Sequence, residues 1–266
     1  MNPIGIGMLT IPGMTPEDFV REIAGLGFAA TFDQGRKSRE TLAATASACA
    51  SFGVQLETLH APWDNINAIW LPGEEGRQML EKLMDTVDKC HLVGAPIAVV
   101  HLSSGQNPPT VTDVGRSRFA ALVEYAQKKG VKIAFENQRK LFNLAWALET
   151  FGPEDGVGFC WDCGHEGCFT PGKQFMPWFA DRLICTHIHD NYGIFDDDRH
   201  LLPFDGKLDF DRVARQLREA NWQGNVMLEV ILGKNSHYKG CNYENLTPQQ
   251  YLARAAQAAK RLAGMI

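Results

Sequence analysis

The sequence predicts a single α/β domain, a (β/α)8 barrel of the TIM type spanning residues 1–266. Three observations predict it. Short apolar, β-branched runs alternate eight times with segments whose apolar residues recur at helical spacing. No glycine-rich dinucleotide fingerprint follows the first run, which argues against a doubly wound sheet. The length, 266 residues with 45% hydrophobic and 21% charged, suits one barrel and requires no second domain.

The predicted strands are "IGIGML" (4–9), "AATFDQ" (29–34), "VQLETLH" (54–60), "IAVVHL" (97–102), "VKIAFEN" (131–137), "VGFCWD" (157–162), "LICTHIHD" (183–190) and "NVMLEVIL" (225–232). Between them, "TPEDFVREIAGLG" opens on a Thr cap, and "SRETLAATASACASFG" opens on a Ser cap and closes on glycine. "GEEGRQMLEKLMDTVDKCHLVG", "DVGRSRFAALVEYAQKKG", "LFNLAWALETFG", "DFDRVARQLREANW" and "TPQQYLARAAQAAKRLAG" continue the pattern, with the Met and Leu residues of "RQMLEKLMDTV" assigned to the core. The helix near "QFMPWFAD" is interrupted by Pro177.

Composition narrows the function classes. A formal net charge of −5, with Lys and Arg scattered along the chain, disfavours a nucleic-acid partner. The first residues, "MNPIGIGMLTIPGM", lack a charged leader region, and no run of about 18 apolar residues occurs, so no membrane span is expected and the cytoplasm is the expected address. Seven cysteines (49, 90, 160, 163, 168, 185, 241) are an odd number in a chain too large to need stapling, and read as reduced thiols.

In such barrels the active site is built at the carboxyl ends of the strands. His60 ends the third predicted strand, His101 the fourth, Glu136 the fifth, Asp162 the sixth, His187 the seventh, and Glu229 lies near the end of the eighth. Side-chain alternation places Glu136 with Ala134 and Glu229 with Met227, while Ile133, Phe135, Val226, Leu228 and Val230 face the helices. Both glutamates therefore point into the barrel. Buried carboxylates without partners are costly, so two of them facing Asp162 and His187 call for a divalent cation. Three carboxylates and an imidazole suit Zn²⁺, Mn²⁺, Mg²⁺ or Co²⁺, and the surrounding histidines shift the balance toward Zn²⁺ or Mn²⁺.

The fragments "LHAP" (59–62), "FEN" (135–137), "DCGH" (162–165), "HIHD" (187–190), "DRH" (198–200) and the Glu of "LEV" (228–230) resemble the xylose-isomerase-like TIM-barrel superfamily, which includes sugar and sugar-phosphate isomerases and epimerases and also endonuclease IV. The resemblance implies one divalent ion on Glu136, Asp162, His187 and Glu229 for the isomerase branch. For the endonuclease branch it implies up to three zinc ions, with His60, His101, His165, Asp198 and His200 as further ligands. His187 is the better ligand of the "HIHD" pair, because the family ligand stands three residues before the Asp. The segment "DRHLLPFDGKLDF" is similar to a signature frequent among sugar-isomerase-like members, and the expected function is a metal-dependent sugar or sugar-phosphate isomerase or epimerase. Glu136 and Glu229 would pass a carbon-bound proton through a cis-enediolate, with a small-molecule sugar as partner. His189 and Arg199 are candidates for orienting hydroxyls, or a phosphate in the case of Arg199, and Trp63 for stacking on a sugar face or for packing. The alternatives are a zinc phosphodiesterase of the endonuclease IV kind, disfavoured by the acidic "FDDD" at 195–198, and a metal-dependent lyase or dehydratase.

Several features have plainer readings. "CWDCGHEGC" (160–168) mimics a zinc-binding CxxC, yet residues three apart on a strand face opposite sides, and Cys160 is expected to line the barrel beneath Asp162. Asp33 could touch substrate or cap a turn, and His91 is expected at a helix end on the surface. His237 falls in a long loop, 233–246, placed either to close over substrate or to meet another copy of the chain.

Overall fold

The computed structural model describes residues 1–233 and 243–266; His237, Cys241 and most of the predicted closing loop lie outside the described residues. In chain order the elements are β1 (Ile4–Gly7), α1 (Pro16–Gly25), β2 (Ala30–Gln34), α2 (Arg39–Phe52), β3 (Gln55–His60), α3 (Glu74–Val93), β4 (Ile97–His101), α4 (Asp113–Lys129) and β5 (Lys132–Glu136). They continue with α5 (Leu141–Thr150), β6 (Val157–Asp162), α6 (Cys163–Phe169), α7 (Met176–Phe179), β7 (Leu183–His187), α8 (Phe210–Glu219), β8 (Val226–Leu228) and α9 (Pro248–Ala263). The sheet runs β7-β6-β5-β4-β3-β2-β1-β8. It closes at Ile188, whose N–H donates to Met227 O at 2.8 Å and whose carbonyl accepts from Glu229 N at 3.0 Å. The predicted barrel is therefore present, with β7 and β8 shorter than their apolar runs.

Local chemistry explains the boundaries. Thr15, Ser38, Thr112 and Thr247 cap α1, α2, α4 and α9 with their hydroxyls. Helices α2, α3 and α4 stop where Gly53, Gly94 and Gly130 turn left-handed. Pro177 sits in the first turn of α7, where proline is tolerated, so it does not interrupt the helix as expected; α7 is a single turn followed by a 3-10 turn at Ala180–Arg182. Among the described residues no helix is long and apolar enough to cross a membrane.

Alternation sorts the core as the sequence predicts. Ile133, Phe135, Phe159 and Trp161 pack toward the helices, whereas Ile97, Val99, Ala134, Cys160 and Cys185 form a separate cluster inside the barrel. Register skips one residue in β3, where Thr31 pairs Leu56 but Phe32 pairs Thr58, leaving Glu57 as the extra residue. Asp33 is wholly buried and caps its turn, accepting from Gln34 N at 2.7 Å and pairing with Lys37 at 2.6 Å. That leaves it no substrate to touch. His91 is exposed at the end of α3, its Nδ1 2.9 Å from Lys129 O.

Candidate metal centre

Parallel register lines up the carboxyl ends of the strands. His101 sits beside Glu136 across β4 and β5, and Asp162 beside His187 across β6 and β7. Glu136, Asp162, His187 and Glu229 each present a ligand atom, and the four atoms lie within 4.8 Å of one another. His60 and His101 form a second group with Glu136, so this carboxylate is shared by both, and it also lies within reach of Cys160 together with His187. A third group consists of His165, His189, Asp198 and His200.

The imidazoles are aimed by backbone carbonyls. His60 Nδ1 lies 2.8 Å from Ala61 O, and His200 Nδ1 lies 2.7 Å from Glu229 O. A carbonyl only accepts, so each ring carries its proton on Nδ1 and presents Nε2 to the site, the arrangement in which a histidine ligates a metal. His187 Nδ1 is 2.6 Å from Glu136 Oε1, and His101 also contacts Glu136. His165 Nε2 and His200 Nε2 stand 3.5 and 3.0 Å from Asp198 Oδ2.

The donor set fits a divalent ion. Among the described residues, Glu136, Asp162 and Asp198 have only imidazoles, no Lys or Arg, as ion-pair partners. Among the described residues several buried polar atoms have no hydrogen-bond partner: Asp162 Oδ2, Asp198 Oδ1, His187 Nε2 and His189 Nδ1, while His189 Nε2 stands 3.1 Å from Asp162 Oδ1. Orphans of this kind are rare in a folded interior, and a cation would satisfy them. The same contacts shift the titration of these groups. Burial raises the Asp162 carboxyl, but His165 and His189 outweigh it and hold the group at about 2. Glu136 is likewise held well below the usual carboxylate range, since His187 and His101 overcome its burial. Glu229 goes the other way, pushed well up by burial and by the charges of Glu136 and Asp162. His101 is lowered to about 4 by burial, whereas His165, despite burial, is raised to about 10 by Asp162, Asp198 and Glu136.

The third group depends on the excursion after β7. Asp190 is buried and accepts from the backbone N–H groups of Asn191 at 2.8 Å, Gly206 at 2.8 Å and Leu208 at 3.0 Å, closing that excursion at its base. Gly206 is required there, because a β-carbon would run into Asn191 O and Asp190. His200 adopts a left-handed backbone, φ 47°, which turns its ring inward. His189 stacks on His200 with centroids 3.9 Å apart and occupies the space a side chain at Gly164 would need.

A cleft opens above these groups in two lobes of about 340 and 360 Å³, which share Trp63, His200 and Glu229 as lining. Such volumes are in the range of small-molecule sites. Of the three residues expected to meet substrate, Trp63 lines both lobes. His189 is wholly buried in the third ligand group, and Arg199 pairs with Asp197 at 2.8 Å; neither is among the lining residues. Glu229 faces the cleft while Glu136 is wholly buried.

Residues 20–261 match the family model for xylose isomerase-like TIM barrels. The chain belongs to that family. It is 30% identical over 198 residues to an uncharacterised protein of Sinorhizobium fredii, covering 68% of this chain and 63% of that one. It is 24% identical over 188 residues to an uncharacterised protein of Methanocaldococcus jannaschii, covering 64% and 63% respectively. The match thus spans less than two thirds of either relative. Among solved structures, the fold is similar to 3-keto-D-glucoside 4-epimerase of E. coli (TM-score 0.70, 18% identity, 97% of this chain and 99% of that one). It is also similar to D-psicose 3-epimerase of Clostridium cellulolyticum (TM-score 0.74, 12% identity, 98% of each chain). At such identities the likeness is one of fold.

Within this xylose isomerase-like barrel, the sequence argument about "CWDCGH" needs one correction. Cys163 is not on a strand; it begins α6, because the Asp162 side chain caps that helix by accepting from His165 N at 2.6 Å. The conclusion survives. Cys160 lies inside the barrel, while Cys163 packs in the outer core with its thiol donating to His189 O at 3.5 Å. Gln138 was missed by sequence reasoning: its amide stands 3.0 Å from His165 Nδ1 and 3.2 Å from His101 Nε2, joining the groups above Glu136. Its only sequence signal is adjacency to "FEN". The "FDDD" acids are also less free than their sequence suggests, with Asp196 paired to Arg139 and Asp197 to Arg199.

Proposed function

We propose that this chain is a divalent-metal-dependent sugar isomerase or epimerase. The observation that carries this reading is the four-residue group in which one glutamate, Glu229, opens onto a cleft of small-molecule size and the other, Glu136, stands behind it. A divalent ion held by Glu136, Asp162, His187 and Glu229 would supply Lewis acidity to two adjacent substrate oxygens, making the neighbouring carbon-bound proton acidic. Glu229, facing the cleft, takes that proton from carbon onto its carboxylate as the substrate becomes an enediolate. Returning the proton to the neighbouring carbon is isomerisation, and delivering one to the opposite face of the same carbon from Glu136 is epimerisation. Without an ion their surroundings push the two carboxyls apart, Glu136 toward the charged form and Glu229 toward the protonated one, and a divalent cation beside Glu229 would return it to the charged form that a base needs. Trp63 supplies a flat apolar surface against which the C–H face of a sugar packs.

A second reading draws support from the sharing of Glu136 between two ligand groups and from the third group beside them. Clustered ions around a shared carboxylate are the device of metal-assisted phosphodiester hydrolysis. One experiment separates the two. Metal content is measured on the pure protein, and ketoses are incubated with it in deuterated water and followed for deuterium beside the carbonyl. The proposal expects exchange, lowered about 10²- to 10⁴-fold in Glu229→Gln and in Glu136→Gln. Cleavage of an oligonucleotide carrying an abasic site, without exchange in any ketose, would overturn it in favour of the hydrolase.

A further inference from the structure

The second lobe of the cleft has a polarity that the ligand groups do not explain. It is lined mainly from the ends of β1, β2 and β8, by polar and apolar groups in nearly equal measure, and Arg36 is its sole Lys or Arg among the described lining residues. Among the described residues around the mouth, Arg139 is neutralised by Asp196, Arg199 by Asp197 and Lys37 by Asp33. Arg36 has no ion pair or hydrogen bond among the described residues. Its guanidinium lies over Trp63, 5.6 Å from the ring centroid, and Trp63 in turn lies 5.1 Å from the His60 ring. The charge therefore stands one indole width from the candidate metal ligands.

The backbone beneath this charge is held rigidly. Gly35 donates its N–H to His60 O at 2.8 Å and accepts from the buried Lys89 Nζ at 2.8 Å. A β-carbon at Gly35 would meet the Thr86 side chain at 2.6 Å, so the turn has no room to shift. Beside Arg36, Gln34 lines the same lobe, its side-chain oxygen buried and without a hydrogen-bond partner among the described residues. The first lobe, by contrast, carries Asp196, Asp197 and Asp198.

We propose that the second lobe is an anion-selecting subsite, in which Arg36 binds a phosphate or carboxylate on the non-reacting end of the sugar. The inference rests on the isomerase or epimerase reading and names its substrate class: anionic ketoses rather than neutral ones. The reacting carbons lie at Glu229, which both lobes share, with the charged end toward Arg36 and away from the aspartates of the first lobe. Guanidinium geometry matches either anion through paired N–H donors. Since this contact is made equally before and during proton transfer, it acts on binding and leaves turnover unchanged.

The test uses the full chain loaded with metal, and Arg36→Gln, whose site is exposed and touches no ligand group. Dissociation constants are measured by tryptophan fluorescence for ketohexose 6-phosphates, for ketouronates and for the parent neutral ketoses, and each is also scored for exchange in deuterated water. The expected result is binding at least about tenfold tighter for one anionic series than for its neutral parent. Arg36→Gln abolishes that preference through KM, with kcat and neutral-ketose affinity preserved, and the preferred series identifies the anion. Equal binding of neutral and anionic ketoses, or a preference that survives Arg36→Gln, would sink the subsite. Exchange of neutral ketoses without preference removes the subsite and keeps the isomerase. An Arg36-dependent preference without exchange keeps the subsite and removes the isomerase, and no ketose bound at all removes both.

Discussion

Glu57 is a carboxyl placed where it weakens the fold, and the cost is calculable. It is the extra residue of the β3 irregularity, buried at the barrel end opposite the cleft, with Oε1 accepting from Asn225 Nδ2 at 2.9 Å and Oε2 unpartnered. Burial, only partly offset by that hydrogen bond, raises its pKa from 4.5 to about 7. Below pH 4.5 the folded and unfolded chains are both protonated there, and no cost arises. As pH rises further the unfolded chain ionises first, so the penalty grows and is complete above about pH 7. At about 1.36 kcal/mol per unit, the full penalty is about 3 kcal/mol. Glu57→Gln keeps the acceptor, replaces the protonated oxygen with an amide and cannot ionise. Thermal unfolding of both proteins at about pH 5 and about pH 8.5 checks this: melting temperatures should be close in acid, and the variant should melt about 6–12 °C higher in base. A difference that does not grow with pH would refute the reasoning.

Three further outcomes follow from the same geometry. His165 is protonated below about 10, so zinc added to chelator-stripped protein near neutral pH should release at least one proton per molecule, read in a weakly buffered indicator solution; uptake without proton release would mean His165 is not a ligand. Gly164→Ala puts a methyl group where the His189 ring lies, and should lower zinc content and cost about 1–3 kcal/mol in urea unfolding. Asp190→Ala strands three backbone N–H donors and should cost about 3 kcal/mol while exposing the 191–208 excursion to protease; unchanged cleavage there would show that the carboxylate does not hold it.

The sequence by itself determined the barrel, the order of its strands and which acids point inward, but not every strand end, since β8 stops at Leu228, before Glu229. These are local properties: a period of two along a strand, a period of 3.6 along a helix, and caps such as Thr15, Ser38 and Gly94 each act over a few residues. Parallel register then does the rest for Glu136, Asp162 and His187, because equivalent positions on neighbouring strands are adjacent by construction. Only the tertiary structure decided matters that depend on the path of a loop. Asp33 turned out to cap its own turn, Cys163 to begin a helix under an Asp162 cap, and His189 to stack on His200. None of these is written in periodicity. They are set by contacts across the excursion after β7, where Asp190 ties residues 190 and 208 together and left-handed turns at Asp196, His200 and Phe204 steer the chain. The exposure of the two glutamates was also invisible to alternation: the pattern aims both inward, but the side chains of His60, His101, Gln138 and His187 close over Glu136 while Glu229 stays open to the cleft.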